Sequence, residues 1–550
     1  MGLNLRFYLI GIHLFTLYAA IVFWPGLLFL VHIPIHSFEL FLSLISWITA
    51  SWFVERKIFG PVHLKSFSFN LIFCLLLFVG IMGFINQVYD TSYDGNWYHM
   101  DAVYNLARGW IPAYQTLSPE QTSYCDLNLN HFPKLSWIFG AQLYVSTGLV
   151  EAGKCGTLLL TISCLFVGQF AAGQIVKLSG WSQWAIGILL AINPIQLLSI
   201  FSFCNDGQLA ALFSISLVLM LMFVKSENMV FLYLALLALA LLANLKFTSA
   251  AYAGILTLSF FIYFAYQKIL QAKRLMILFF LWGLVAFGIL GFNPYVTNTL
   301  QKGNPLYPIF GTSEKLVDIK QVYPANFLNM NWFQKFYNGI FAKPTWNRYP
   351  DESHVKILFS HTKLNTYTGG IPDLAGFGPM IPEILVILIP VFLISCFFVS
   401  SRVLKFTLAV LILLGFSILI NPEAWLLRYV PQFWLLILGM LCLVWTQPIL
   451  KYVAWILALA LLLNSYIMER EYVEANRQRT ADLNTQFGLI KQQAGKYEIY
   501  HGWTHSFKNR LGANGIDTAK LVWISPQDST AISFVGSLGA SFRKSTTIKP

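Results

Sequence analysis

The sequence predicts an α-helical fold, a polytopic transmembrane bundle with extracytoplasmic loops and a small mixed α/β domain at its C-terminus. Three observations lead there. Charged residues are 11% of the 550, against 57% hydrophobic, where a soluble chain carries about 25% charged. Apolar runs near 20 residues, the length needed to cross a bilayer, recur along most of the chain. Basic residues collect in short connections between some of these runs, as cytoplasmic loops do. The net charge of +12 orients such a chain and does not call for a nucleic-acid partner. Aromatics at 16%, with 47 Phe, suit lipid-facing and interfacial positions.

The candidate spans are 7–31, 37–54, 67–85, 154–176, 181–195, 206–224, 228–245, 247–266, 275–293, 381–400, 403–420, 429–446 and 450–467. The first run is too long for a cleaved leader and has no small-residue cleavage site after it, so it reads as a retained signal anchor. Arg56, Lys57 and Lys65 follow the second span. Lys268, Lys273 and Arg274, then Arg402 and Lys405, then Lys451, mark further cytoplasmic connections. This rule puts 86–134, 294–380 and the tail outside. It also makes the apolar stretch 135–149 a juxtamembrane or re-entrant helix, because counting it as a span would put the Lys268 connection outside. Lys177 and Lys225 then fall inside. The count is about 13 spans. Domain-like divisions follow: a membrane module over 1–468, with outer loops 86–153 and 294–380, and a C-terminal domain over 469–550.

The seven Cys form no CxxC pair. Cys74, Cys164, Cys204, Cys396 and Cys442 lie in or beside apolar runs, where packing explains them. Cys125 and Cys155 flank the membrane and are candidates for a disulfide.

The first outer loop carries Tyr93-Asp94-Gly95-Asn96-Trp97-Tyr98-His99-Met100-Asp101. Ala102, Val103, Leu106 and Ala107 recur at helical spacing, and Gly109 is a stop signal. Asp94 therefore precedes a short amphipathic surface helix, whose positive end favours its ionised form. A plain N-terminal cap would explain it equally. The same topology puts Asp206, Lys246 and Arg428 at the outer ends of spans, and His131 and Lys134 where the loop meets the bilayer. Ionisable groups at membrane depth are costly and mark function by default. Snorkelling would explain Lys246 or Arg428 singly, but explains a cluster of acids and bases on one face less well. A carboxylate can take the proton of an acceptor hydroxyl, and Lys or Arg can hold an anionic leaving group. A lipid-phosphate-linked donor fits that pairing.

At these residues the sequence resembles the GT-C superfamily of polyprenyl-phosphate-sugar-dependent membrane glycosyltransferases, especially bacterial members related to protein mannosyltransferases and the lipid A aminoarabinose transferase. Tyr93-Asp94-Gly95 through Gly109-Trp110 is similar to their first-loop acid and surface helix. Asn130-His131-Phe132-Pro133-Lys134 is similar to their His-x-Pro element, and Asn193-Pro194 with Asp206 to a later helix start. The 303–308 run and Arg428-Tyr429 with Pro431 complete the series. The likeness covers roughly 86 to 440. Two features depart from it: Asp94 is followed by Gly95 rather than a second acid, for which Asp90 or Asp101 are substitutes, and two extra spans precede the usual first.

The resemblance implies an inverting transferase, moving a sugar from a polyprenyl-phosphate donor to a glycan, lipid or protein acceptor outside the cell (inner) membrane. It implies Asp94 as general base and His99 orienting acceptor or donor phosphate. Lys246 and Arg428 would hold the phosphate, with Asp206, His131, Lys134 and Tyr98 as further contacts. No cofactor is firmly implied; a lone Asp with His99 is weak support for a divalent metal, and no metal ligand set is assigned. The competing function is a transporter or flippase of a lipid-linked or anionic substrate, which broken helices with midplane ions would favour.

In the second loop, 327–341 is apolar and aromatic enough to lie on a membrane surface. Thr368-Gly369-Gly370 and Gly376-Phe377-Gly378-Pro379 read as a flexible loop before a span, a gate or a plain connector. In the tail, 469–485 reads as a charged helix and 497–500 and 520–524 as strands. His501, His505 and Ser506 are adjacent without an evident orienting acid, which makes no triad. The tail reads as an acceptor-docking or structural cap.

Overall fold

A computed structural model describes residues 3–310, 323–346, 350–360, 365–493, 496–519, 521–525 and 527–545. Among these the chain is mostly helical. Nine helices are long and apolar enough to cross a membrane, and four shorter apolar ones are Trp181–Ala191, Met229–Ala243, Ile381–Cys396 and Gln432–Trp445. Together they coincide with the thirteen apolar segments of the sequence. The 135–149 stretch is the separate helix Leu135–Thr147, ended by Gly148 in the left-handed conformation. Its residues from Leu135 to Leu143 are all buried.

The helices bury their apolar faces unevenly. Asn4–Phe29, Val150–Val176 and Asp206–Ser226 form the centre, whereas Leu64–Asn86 and Ser401–Leu419 keep most of their surface free. Exposed Phe69, Leu76, Met276, Phe280, Phe397 and Ile412 would be costly in water and suit a lipid solvent. Deep in the bundle, His13 Nε2 lies 3.0 Å from Glu55 Oε1, which also accepts from Asn70 Nδ2 at 3.1 Å. The pair is tied into a polar cluster, as burial among apolar helices requires.

The interhelical turns assort into two ends. At the loop end, Leu135 N donates to Asn244 O at 3.0 Å, Asn205 Nδ2 to Leu245 O at 2.6 Å, and Tyr252 OH to Tyr429 O at 2.7 Å. At the basic end, Lys177, Lys225, Arg402 and Lys405 border one cavity. The sequence assigns these two groups of turns to opposite faces.

The charged helix expected at 469–485 continues the last apolar helix without a break: Lys451–Gln492 is one helix of 42 residues. Two other expectations are corrected. Residues 521–525 form no strand, although Val522 N donates to Ile499 O at 2.9 Å; Lys520 lies outside the described residues. The sheet is instead β1 (Tyr497–Tyr500), β2 (Ile532–Ser533) and β3 (Ser541–Lys544), antiparallel in the order β1-β3-β2. The apolar run misled because Val522 and Trp523 are exposed, while Phe534 and Phe542 fill the small core with Phe487 and Phe507. Cys125 and Cys155 are free and buried, as are Cys74 and Cys164, so the disulfide is not formed.

Candidate functional site at the loop end

The chain enters the site from Leu64–Asn86 through a buried acid. Asp90 is 1% exposed and accepts from Ser92 N at 2.8 Å and Phe203 N at 2.7 Å. Burial raises its pKa, against the pull of Lys154. Tyr93 and Asp94 then begin a helical stretch. It runs through a π-helical turn, Gly95–His99, into the helix Met100–Ala107. The wider turn inserts a residue and re-aims the side chains before it, a feature often found at functional sites. Asp94 thus lies within the first helical turn rather than ahead of it, and its carboxylate makes no cap bond. The capping explanation is removed. Gly95 is required: a Cβ there would overlap the Asp90 carboxylate and Ser92 Oγ.

Free of capping, Asp94 faces Arg428. Arg428 Nη1 lies 3.6 Å from Asp94 Oδ2, with 27% and 30% of the two side chains exposed. Arg428 sits in the 3-10 turn Leu427–Tyr429, held where Tyr429 O accepts from Tyr252 OH. At 3.6 Å the pair attracts without a direct hydrogen bond, and Arg428 Nε has no partner among the described residues. Both groups keep bonding capacity for a third.

The two line a cavity of about 150 Å³, together with Asp90, Asp206 and Asp373. Asp206 opens the helix Asp206–Ser226 and is ion-paired with Lys246 Nζ. Lys246 precedes the helix Phe247–Tyr266 and lies over the Tyr429 ring at 5.1 Å. Four predicted residues, Asp94, Asp206, Lys246 and Arg428, therefore come together from four separate segments.

His99 lies deeper. It is 4% exposed, and its Nδ1 accepts from Trp137 Nε1 at 2.6 Å. Burial first, then the charge of Lys246, lowers its pKa to about 3. The imidazole is neutral, and its free valence is the Nε2–H donor. Tyr98 packs on His99 with ring centroids 4.2 Å apart. Burial and then Asp94 push its phenol well above the usual range, so it too acts as a neutral donor. His131 and Lys134 do not reach this cavity. His131 Nδ1 lies 2.8 Å from Asn298 Oδ1. Lys134, 2% exposed, donates to Phe132 O at 2.8 Å, to Asn130 O at 3.3 Å and to Asn293 Oδ1. With all three donors used, it ties the loop to the 292–296 turn.

Of the two proposed substitutes for a second acid, Asp90 stands beside Asp94 and Asp101 points away. Asp101 borders a different cavity with Arg108, Glu120 and His505.

Several site residues were not singled out from the sequence. Asp373, Trp346 and Arg479 close the cavity from the second loop and the long helix, beside Gly370 of the expected glycine loop. Arg479 Nη1 donates to Thr368 O at 2.8 Å. The glycine-rich segment 370–379 is mostly buried and held by Asn464 Nδ2 to Phe377 O at 2.8 Å, so it is a packed wall rather than a loose gate. Arg510, from the C-terminal unit, reaches Glu151 Oε1 at 2.7 Å, Asn96 Oδ1 at 2.9 Å and Asp90 O at 3.0 Å. No local pattern marks Arg479 and Arg510, whose side-chain partners lie over a hundred residues away. Ser506 Oγ donates to Asn96 O, so it serves docking and not a triad.

Among the described residues no three His, Cys, Asp or Glu side chains gather as a metal site. No family model, curated protein or solved structure matches the chain.

Proposed function

We propose that this membrane protein is an inverting glycosyltransferase that uses a polyprenyl-phosphate sugar and acts at the extracytoplasmic face, with all thirteen apolar helices crossing. The observation that carries the reading is the separated Asp94–Arg428 pair on the cavity. The carboxylate and the guanidinium sit side by side on the cavity wall, not locked in a direct hydrogen bond, so each keeps bonding capacity for a reacting group entering the cavity. In the reaction, an acceptor hydroxyl oxygen forms a bond to the anomeric carbon while the bond from that carbon to the phosphate oxygen breaks. The hydroxyl proton passes to Asp94. The electron pair leaves with the polyprenyl phosphate, whose growing charge Arg428 and Lys246 stabilise. The neutral donors His99 and Tyr98 hold sugar or acceptor hydroxyls without competing for the proton. The acceptor is a glycan, lipid or protein carrying a free hydroxyl or equivalent nucleophile.

The test is turnover of a panel of polyprenyl-phosphate sugars by the detergent-purified chain, with Asp94→Asn alongside. Release of polyprenyl phosphate that falls about 10²-fold or more in the variant supports the assignment, since a general base contributes that much. Equal activity in the variant moves the base elsewhere. Tight donor binding with no turnover would favour a transporter instead.

A further inference from the structure

The largest cavity described lies at the opposite, basic end, and the proposed transfer chemistry makes no use of it. It has a volume of about 870 Å³ and is bordered by Lys177, Lys225, Arg402 and Lys405. All four are exposed, and among the described residues none makes an ion pair or a side-chain hydrogen bond. Helix ends do not neutralise them. Four helices finish here, ahead of Lys177, at Ser226, at Tyr266 and at Trp445, and one begins at Ser401. Each end carries roughly half an elementary charge, which leaves a net of about −1.5 against four cationic side chains.

The cavity continues into a second, apolar one of about 320 Å³, with Val224, Tyr263, Phe406 and Ala409 bordering both. This groove runs beside Ser401–Leu419 from Phe406 to Phe416. Ten residues of helix rise about 15 Å, half the roughly 30 Å hydrocarbon core, so the groove has the depth of one leaflet. The helix along it is poorly covered by protein, with only 17% of its apolar window buried.

We propose that this compound cleft binds an anionic glycerophospholipid, with its phosphate headgroup among Lys177, Lys225, Arg402 and Lys405 and one acyl chain in the groove. Charge complementarity selects the headgroup, and the leaflet-deep apolar continuation selects a lipid over a free anion. The basic turns predict a cytoplasmic position for this end, the leaflet where anionic lipids draw basic side chains at about 1 kcal/mol per residue. The bound lipid would fix Ser401–Leu419 against Asp206–Ser226 and Phe247–Tyr266, supplying packing that the protein leaves open.

The experiment uses the full chain in neutral detergent and follows its thermal midpoint. Dioleoyl-phosphatidylglycerol, dioleoyl-phosphatidylcholine and inorganic phosphate are titrated separately. The expected result is a saturable rise with phosphatidylglycerol and none with the other two. Arg402→Gln/Lys405→Gln should need about thirtyfold more lipid for half-saturation. Lys268→Gln/Lys273→Gln, two exposed cations of the same end outside the cleft, should titrate as wild type. An equal response to phosphatidylcholine would mean non-selective lipid cover, and a response to phosphate alone would mean a free-anion site; either overturns the proposal. So does a cleft variant that titrates like wild type, or a control pair that weakens as much. Ala409→Trp, which fills the throat, should abolish the lipid response; if it fails to fold, the exposed cleft variant still decides.

Discussion

Arg428 and Asp94 stand 3.6 Å apart on the cavity wall, although 334 positions of sequence separate them. They do not make the close bidentate contact common for Arg with a carboxylate, so neither is fully used by the other. Their shared place on the cavity, with bonding capacity left on each, is the property on which the proposed chemistry depends.

Arg428→Gln is expected to lower kcat/KM for the lipid-linked donor by about 10²–10³-fold, the usual effect of removing a donor to developing negative charge. Arg428→Lys should recover part of the loss. Steady-state kinetics on purified variants decide this; an unchanged kcat/KM would take Arg428 out of the reaction.

The Lys246–Asp206 pair should show strong coupling. Either Lys246→Met or Asp206→Asn leaves a charge beside a mostly buried position and should cost about 3 kcal/mol, the low end for such pairs, because Lys246 keeps 20% of its side chain exposed. The double variant should cost less than the sum. Denaturation of all three in one detergent is the check, and simple additivity would show that the two charges do not depend on each other.

Arg510→Met should loosen the π-helical turn from behind. Arg510 and Glu151 are 1% and 4% exposed, and breaking a pair so buried costs about 3–5 kcal/mol. Faster amide hydrogen exchange over residues 95–100 is expected, together with a lower melting point. A variant that melts earlier but exchanges normally there would confine Arg510 to anchoring the tail.

Asp101 provides a pH signature. It is 1% exposed, and its Oδ2 has no partner among the described residues. Burial, opposed by Arg108 and Ser123, raises its pKa from 3.8 to about 7. A carboxyl raised on folding favours the folded state below the unfolded value of about 4, and that advantage is lost as pH rises through the folded value. Asp101→Asn should therefore raise the thermal midpoint more at about pH 8 than at about pH 4. An equal gain at both would mean that folding does not raise the Asp101 pKa.

Much of this architecture was legible because lipid imposes simple rules. Runs of apolar residues gave the thirteen helices, and basic turns sorted their ends into the two groups that the fold brings together. Asp94, Asp206, Lys246 and Arg428 stood out because charge near a membrane is rare. Lys134 stood out for the same reason, yet three backbone and side-chain acceptors satisfy it; rarity marks a cost and does not say how the cost is met. Arg510 was illegible for the opposite reason. It lies in a polar tail where arginine is ordinary, and only its contacts with Glu151, Asn96 and Asp90 give it a role. The strand expected at 520–524 failed because a short apolar run does not say which side it buries.

The helix Lys451–Gln492 has 42 residues and rises about 63 Å, about twice the hydrocarbon thickness. It carries no internal proline or glycine break before Gly488, so its two halves move as one rod. Its C-terminal half lines the cavity through Tyr472, Asn476 and Arg479 and then holds the sheet through Phe487. A tilt of about 10° in the lipid-embedded half would swing the far end by about 5 Å over the remaining 30 Å or so. The rod is a lever: bilayer thickness at one end and the seating of the C-terminal unit at the other are mechanically a single variable.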